Sequence, residues 1–330
     1  MRVIVAGHIC LDLTPELPVH TAIEPGMLQE IGPMRVGAGG CVYNTGSALA
    51  ELGVEVRLSA RVGDDALGAL LADQLRAEGL PANLETTATA ATSYSIVLEN
   101  PNTDRAFWHH VGTCAEFDGR GVELATADAL HVGYPSLLPG LVADDATPLI
   151  HLLRRARAEG LLTSLDLAVV DPDAPVARLD WRDILERVFP LTDVLSPSID
   201  DIQSALGDAS PVTPELVEER AEWAIRSGAG IVALSAGSRG GFVAVAEADR
   251  LRGGVPLLAR LADDWAGYRG WVPAPRLRAF VSTNGAGDAH SAGLLAALLR
   301  GADPRSAAQC AADTAAARIQ GLPIRESVPL

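Results

Sequence analysis

Apolar positions along this chain fall into short unbroken runs separated by longer stretches of helical period, the pattern of a parallel sheet covered on both faces. Val3 to Ala6 reads as a fully buried strand ending at Gly7, and the alternating residues 8–15 read as a half-covered strand. A glycine-rich turn at 37–40 precedes a helix from about Cys41 that stops at Gly53. Val56 to Val62 is a strand, and Gly63-Asp64-Asp65-Ala-Leu-Gly68 opens a helix ending near Gly79, with Asp65 as its cap. From Thr86 to about Phe117 the pattern is β-like. Residues 93–98 and 105–112 form a hairpin about a turn at Asn100–Asp104, making a small separate sheet with strands near 10–20 and 29–36.

After Asp118 strands and helices alternate. Strands are expected at Ala129–Gly133, Leu161–Asp166, Val194–Leu195, Ile231–Ser235 and Gly241–Val245. Helices are expected at Pro148–Glu159, Trp181–Val188, Ile199–Leu206, Pro214–Ser227 and Asp303–Gln320. Residues 247–276 read as two arginine-rich turns and an aromatic stretch, with no assigned role beyond bordering a ligand site or an oligomer contact. In such a sheet ligands gather at the carboxyl ends of the strands, which singles out Asp166, Ser196 to Asp201 and Ser235 to Gly240.

Composition narrows the chemistry. The 330 residues are 48% hydrophobic and 21% charged, the balance of a globular α/β chain. The net charge of −16 argues against nucleic acid and anionic membrane as partners. Any anionic ligand must therefore be held locally. There is no lysine, which removes a Walker-A lysine and Schiff-base chemistry. Cys10, Cys41, Cys114 and Cys310 have no metal-ligand spacing and read as reduced thiols of a cytoplasmic protein. The first residues read as a strand rather than a signal peptide, and no run approaches the ~18 apolar residues of a membrane helix.

The most informative stretch is Val281-Ser282-Thr283-Asn284-Gly285-Ala286-Gly287-Asp288-Ala289-His290, followed by an apolar helix running to about Arg300. Small residues and glycines leave the helix N-terminus uncovered, so its amides and dipole invite an anion, phosphate above all. Asp288 is the odd member; ordinary helix capping is the alternative reading. At Gly37-Ala-Gly-Gly-Cys-Val-Tyr-Asn44 the spacing fails as a dinucleotide fingerprint, and Asn44 has no propensity reason to lie in a helix.

These residues together resemble the ribokinase-like (PfkB) carbohydrate kinases over essentially the whole chain. Gly285, Ala286, Gly287 and Asp288 match the family's Asp-Thr-x-Gly-Ala-Gly-Asp signature, with Ser282 where the family usually has Asp. The resemblance implies Asp288 as catalytic base and the Gly285–Gly287 amides as an anion hole. It implies that Asp12, Gly39, Gly40 and Asn44 bind sugar hydroxyls. Residues 8–36 and 89–117 become a lid carrying Arg105, Trp108, His109 and His110, with Arg105 and His110 taken as substrate contacts and the choice between His109 and His110 as the inward residue left open. Ser198 and Asp201 stand where relatives organise magnesium and phosphate, Asp201 acting through water. Ser235, Gly237, Gly240 and Asn284 face the nucleotide.

The implied fold is a single three-layer α/β/α domain over 1–330, with a central mostly parallel sheet and the small β-sheet lid. The implied activity is transfer of the γ-phosphoryl of ATP, with Mg²⁺, to a primary sugar hydroxyl. A nucleoside kinase on the same fold and a non-catalytic sugar-binding homologue are the alternatives. Ser282 puts a monovalent cation in doubt, because the missing carboxylate partly holds that ion in relatives. A homodimer through the lid is left open.

Overall fold

The computed structural model describes residues 1–18, 25–99 and 106–328. The chain opens with β1 (Arg2–Gly7), β2 (Cys10–Pro15), β3 (Met34–Gly39), α1 (Gly40–Glu51), β4 (Glu55–Gly63), α2 (Ala66–Ala77) and β5 (Ala82–Thr87). The strands β6 (Tyr94–Leu98), β7 (Ala106–His110) and β8 (Ala129–Gly133) come next, then α3 (Ala143–Ala158) and β9 (Leu162–Asp166). Then come α4 (Trp181–Val188), β10 (Val194–Leu195), α5 (Ile199–Leu206), α6 (Pro214–Arg226), β11 (Ile231–Ser235) and β12 (Gly241–Val245). The last elements are α7 (Ala248–Arg252), α8 (Pro256–Trp265), β13 (Arg269–Val272), α9 (Ala286–Leu299), α10 (Pro304–Ile319) and α11 (Ile324–Ser327).

A nine-stranded sheet runs in the order β13-β12-β11-β10-β9-β8-β1-β4-β5. Its pairs are parallel from β11 to β5, and only β12 and β13 add antiparallel. Side-chain alternation along β1 explains the three layers: Val3 and Val5 pack into one apolar core, Ile4 and Ala6 into a second on the opposite face. Helices α1, α9 and α10 cover the first face; α3 to α6 cover the second. Every residue of α9 from Asp288 to Leu299 is buried, which accounts for its apolar sequence all round. Gly293 makes this burial sterically feasible. A Cβ there would lie 2.5 Å from Thr314 Oγ1 and 2.8 Å from the Cys310 carbonyl on α10.

The second sheet has the order β3-β2-β6-β7 and is the small separate sheet expected as a lid. It differs from the expected ranges at both ends. Strand β3 carries on through Gly37 to Gly39, where the sequence read a turn, because β2 pairs with it as far as Cys10 opposite Gly39. The expected turn at Asn100–Asp104 lies outside the described residues, as does Arg105.

Residues 247–276 are not turns. They form α7 and α8, whose Trp265 is wholly buried with its indole N–H on the Ala302 carbonyl at 3.0 Å, and then the edge strand β13. In α3, Asp144 to Ala146 have left-handed backbone angles, so regular helix begins only beyond them, close to Pro148. No helix among the described residues is long and apolar enough to cross a membrane.

Candidate active site

Helix α9 begins at Gly285, whose φ of 74° is a left-handed turn that glycine adopts without penalty. No side chain caps this helix. The Ala286 amide turns back to the Thr283 carbonyl at 3.1 Å, so it is committed to the turn and is not a free anion donor as expected. A Cβ on Gly287 would meet nothing within 4 Å, so that amide borders open space. The helix thus presents its positive end uncovered, with Asp288 one residue further in.

Asp288 is wholly buried, yet its carboxylate is well provided with donors. Asn44 Nδ2 donates to Oδ2 at 3.0 Å, Tyr134 Oη to the same oxygen at 2.7 Å, and Thr45 Oγ1 to Oδ1 at 3.2 Å. Burial raises its proton affinity above the ordinary carboxylate value, while these three hydrogen bonds and the charge of Arg318 pull it back. Asn44 and Thr45 reach it together because α1 begins at Gly40, directly after the lid strand β3.

Tyr134 follows Gly133 at the carboxyl end of β8, in left-handed backbone (φ 61°, ψ 48°). That conformation costs a non-glycine residue about 1–3 kcal/mol. It is held by the Tyr134 amide on the Asp166 carbonyl at 3.2 Å and by the hydroxyl on Asp288. Burial beside Asp288 and Asp166 pushes the phenol well above its usual range, so it stays a donor.

Asp12 lies on β2 beside Gly39, where a Cβ would stand 2.5 Å from both carboxylate oxygens. Asn284 Nδ2 donates to Asp12 Oδ2 at 3.0 Å. The structure therefore brings Asn284 to the lid side of the site, a correction to its placement at the nucleotide. Ser282 donates to Glu99 Oε1 at 2.8 Å, and Glu99 pairs with Arg35 at 2.6 Å, tying the turn before α9 to the second sheet.

The register of the lid separates its two histidines. Asp12 pairs with Ser95, and Ser95 with His109, so these three share one face; Tyr94 pairs with His110 on the other. His109 donates to or accepts from Ser95 Oγ at 3.0 Å and meets His8 edge-on, centroids 4.9 Å apart. Burial holds both imidazoles neutral, His8 well below its usual pKa and His109 at about 4. His110 is exposed and lies against Tyr94, so the expectation that it faces substrate is corrected: His109 is the inward one. Trp108, on the same face as His110, is half exposed and also points away from Asp12.

On the opposite side, Ser198 and Asp201 form a reciprocal capping box at the start of α5. Ser198 N and Oγ donate to Asp201 Oδ2 at 2.9 and 2.6 Å, and Asp201 N returns to Ser198 Oγ at 3.1 Å. Both residues thus serve as helix caps, whatever else they hold. Asp201 is nonetheless buried enough to be pushed up to about 6, and buried Asp166 is pushed well above the carboxylate range by burial, Asp288 and Asp201.

Ser235 bridges to Ser198, bringing the two loops side by side. Gly237 (φ 57°) and Gly240 (φ 96°) turn the chain through the loop between β11 and β12, with open space around Gly237. A cavity of about 440 Å³ lies next to it, lined by Pro214, Arg239, Trp271, Val272 and Pro273. Among the described residues no cluster of His, Cys, Asp and Glu has the geometry of a metal site.

The site thus has two lobes meeting at Asp288: Asp12, Gly39, Asn44, Tyr134 and Asn284 on the lid side, and Ser198, Asp201, Ser235 and Gly240 beyond the start of α9. Sequence reasoning missed Tyr134, Thr45 and Arg318. Tyr134 carried a usable signal, being the residue that ends a buried strand at the ligand edge; Arg318 carried none.

The chain is similar to known proteins over nearly its whole length. The model of the pfkB family carbohydrate kinases matches residues 2–329. A 2-dehydro-3-deoxygluconokinase of Bacillus subtilis (strain 168) is 22% identical over 324 residues, covering 93% of this chain and 90% of the relative. A ribokinase from Thermotoga maritima superposes with a TM-score of 0.71 at 19% identity, over 99% of this chain and 95% of that one. A ribokinase from Cryptococcus neoformans var. grubii serotype A, solved in complex with ADP, gives 0.69 at 18% identity, over 99% and 96%.

Proposed function

This chain belongs to the pfkB family of carbohydrate kinases, and from that premise we propose that it transfers the γ-phosphoryl group of ATP to a primary hydroxyl of a sugar or sugar-like acceptor, with Asp288 as the base. The observation that carries the proposal is a wholly buried carboxylate held by three donors at an uncapped helix N-terminus. The acceptor occupies the lid side, its hydroxyls replacing the contact that Asn284 makes to Asp12 while Asn44 stays on Asp288. Its primary hydroxyl points at Asp288, whose raised proton affinity suits a base working near neutral pH. The γ-phosphoryl group rests against the N-terminal amides of α9, which offer fixed donors where negative charge develops. Lid closure keeps water, a competing acceptor, away from the phosphoryl group.

The nucleotide lies along Ser198, Ser235, Gly237 and Gly240, with its base toward the cavity beside Trp271. The three buried carboxyl groups Asp166, Asp201 and Asp288, each with its proton affinity raised, would be balanced in their ionised forms by a divalent cation nearby. Asp201 and Asp166 would hold Mg²⁺ through water, and the ion would supply charge neutralisation of the phosphates. Trp108 points off the acceptor side, where it gives no stacking surface for the base of a nucleoside acceptor. Exposed Met34, Val36 and Trp108 form the lid surface that a homodimer would cover.

The test is ADP release from ATP and Mg²⁺ across a panel of sugars, sugar acids and nucleosides, with Asp288→Asn as control. One acceptor turning over, and a loss of about 10²- to 10⁴-fold in the variant, is the expected result. Thermal stabilisation by a sugar without any turnover would leave a binding protein instead.

A further inference from the structure

Arg318 sits in the last turn of α10, yet its guanidinium reaches the start of α9. Its Nη2 donates to Asn44 Oδ1 at 2.9 Å, and a Cβ at Gly285 would stand 3.2 Å from Nε and 3.3 Å from Nη2. Among the described residues Asn44 is its hydrogen-bond partner and no carboxylate lies within ion-pair distance. Two readings compete. An arginine in the last turn of a helix complements that helix's negative end, and a purely structural residue would need no more. That reading leaves the direction of the side chain unexplained, because the guanidinium lies at the positive end of α9, where a cation is disfavoured unless negative charge arrives there.

Asn44 turns this placement into a constraint on Asp288. Its Oδ1 accepts from the cation and its Nδ2 donates to Asp288 Oδ2 at 3.0 Å. Flipping the amide would set NH₂ against guanidinium and the carbonyl against carboxylate, so the charges on either side fix one orientation. Polarised by the cation, the amide is also a stronger donor.

We propose that Arg318 is a positioning residue for phosphoryl transfer, locking Asn44 onto Asp288 and backing the anion-binding start of α9 with a fixed positive charge. The proposal rests on Asp288 being the base. The groups that face Asp288 are Asn44, Thr45 and Cys41 from α1, Tyr134 after β8, Asp166 from β9 and Asp201 from α5. Two of these neighbours, Asp166 and Asp201, are carboxyl groups whose ionisation competes with its own. Arg318 is the cation that opposes them.

The experiment measures steady-state ADP release by the full chain and its Arg318→Met, Arg318→Lys and Arg318→Gln variants, across pH and with added guanidinium chloride below its denaturing range. Arg318→Met is expected to lower kcat about tenfold to hundredfold with little change in KM for ATP. The acid limb of its pH profile should move up by about half to one pH unit. Guanidinium ion should restore part of the rate, and Arg318→Lys should bring the limb back toward wild type. Arg318→Gln, which keeps a donor for Asn44 without the charge, should show the shifted limb with a smaller loss of kcat; it also serves should the Met variant not fold. A variant that melts earlier but keeps wild-type kcat and acid limb would overturn the proposal, as would a loss that neither guanidinium nor Lys relieves. Wild-type behaviour of Arg318→Met beside an inactive Asp288→Asn sinks this proposal alone. Turnover surviving in Asp288→Asn while Arg318→Met is impaired sinks the assignment of the base alone.

Discussion

Replacing Tyr134 by Phe removes one oxygen and leaves the ring, its stack on His8 (centroids 5.9 Å apart) and its backbone unchanged in principle. The lost contact is the 2.7 Å hydrogen bond to Asp288 Oδ2. A hydrogen bond to a charged acceptor contributes about 1.5–3 kcal/mol. At about 1.4 kcal/mol per pKa unit, that corresponds to a rise of roughly 1–2 units in Asp288 if the bond serves only the ionised form. The sign follows from which form is favoured. The phenol donates, so it stabilises the carboxylate; without it the proton is held more tightly. Activity should therefore be lost at the acid side, with the acid limb of kcat/KM displaced upward by about one unit and the rate recovered at higher pH.

Stability has a matching signature. Asp288 already has a native pKa above its unfolded value, so its ionisation destabilises the fold as pH rises from the unfolded value through the native one. Tyr134→Phe widens that gap, and its melting temperature should fall further below wild type at neutral pH than at pH 4. A uniform loss of kcat/KM with an unmoved acid limb would refute the reasoning and leave Tyr134 as a packing residue.

Two further substitutions separate the site from the scaffold. Gly39→Ala sets a methyl group against the Asp12 carboxylate, so Asp12 must move; KM for the acceptor should rise on the order of tenfold or more while KM for ATP holds, and an unchanged acceptor KM would contradict the role of Asp12. Asp193, wholly buried between Arg157 and Arg250, also accepts from Thr163 N and Oγ1, both at 3.1 Å. Asp193→Asn should therefore cost about 3–5 kcal/mol in denaturant unfolding, leaving two arginines short of their partner, with kcat unaffected; a variant as stable as wild type would show that the pair is not structural.

The order of elements, the buried parallel strands and the uncapped start of α9 were legible in the sequence because each is a local property. A run such as Val3 to Ala6 is apolar on both faces only if both faces are covered. Gly285 to Asp288 announces a helix start because glycine and small residues leave amides bare. Pairwise geometry was not legible in the same way. Strand period says that His109 and His110 face opposite ways, but which one faces inward depends on the register that sets His109 against Ser95 and Asp12. Asn284 looked like a nucleotide contact from its place in a motif and proved to reach Asp12, 272 positions away in sequence. The edge strand β13 and helix α8 were hidden in an unassigned stretch because their burial is supplied by distant parts of the chain, among them the Ala302 carbonyl that takes the Trp265 N–H.

The sequence by itself thus singled out the candidate residues, Asp288 and Asp12 above all, through the family motifs they stand in and the bare, glycine-rich helix start beside Asp288. Only the tertiary structure decided what surrounds them. Tyr134, Thr45, Asn44 and Arg318 act on Asp288 from three separate elements, and the hydrogen bonds and charge that set its proton affinity exist only once those elements are packed.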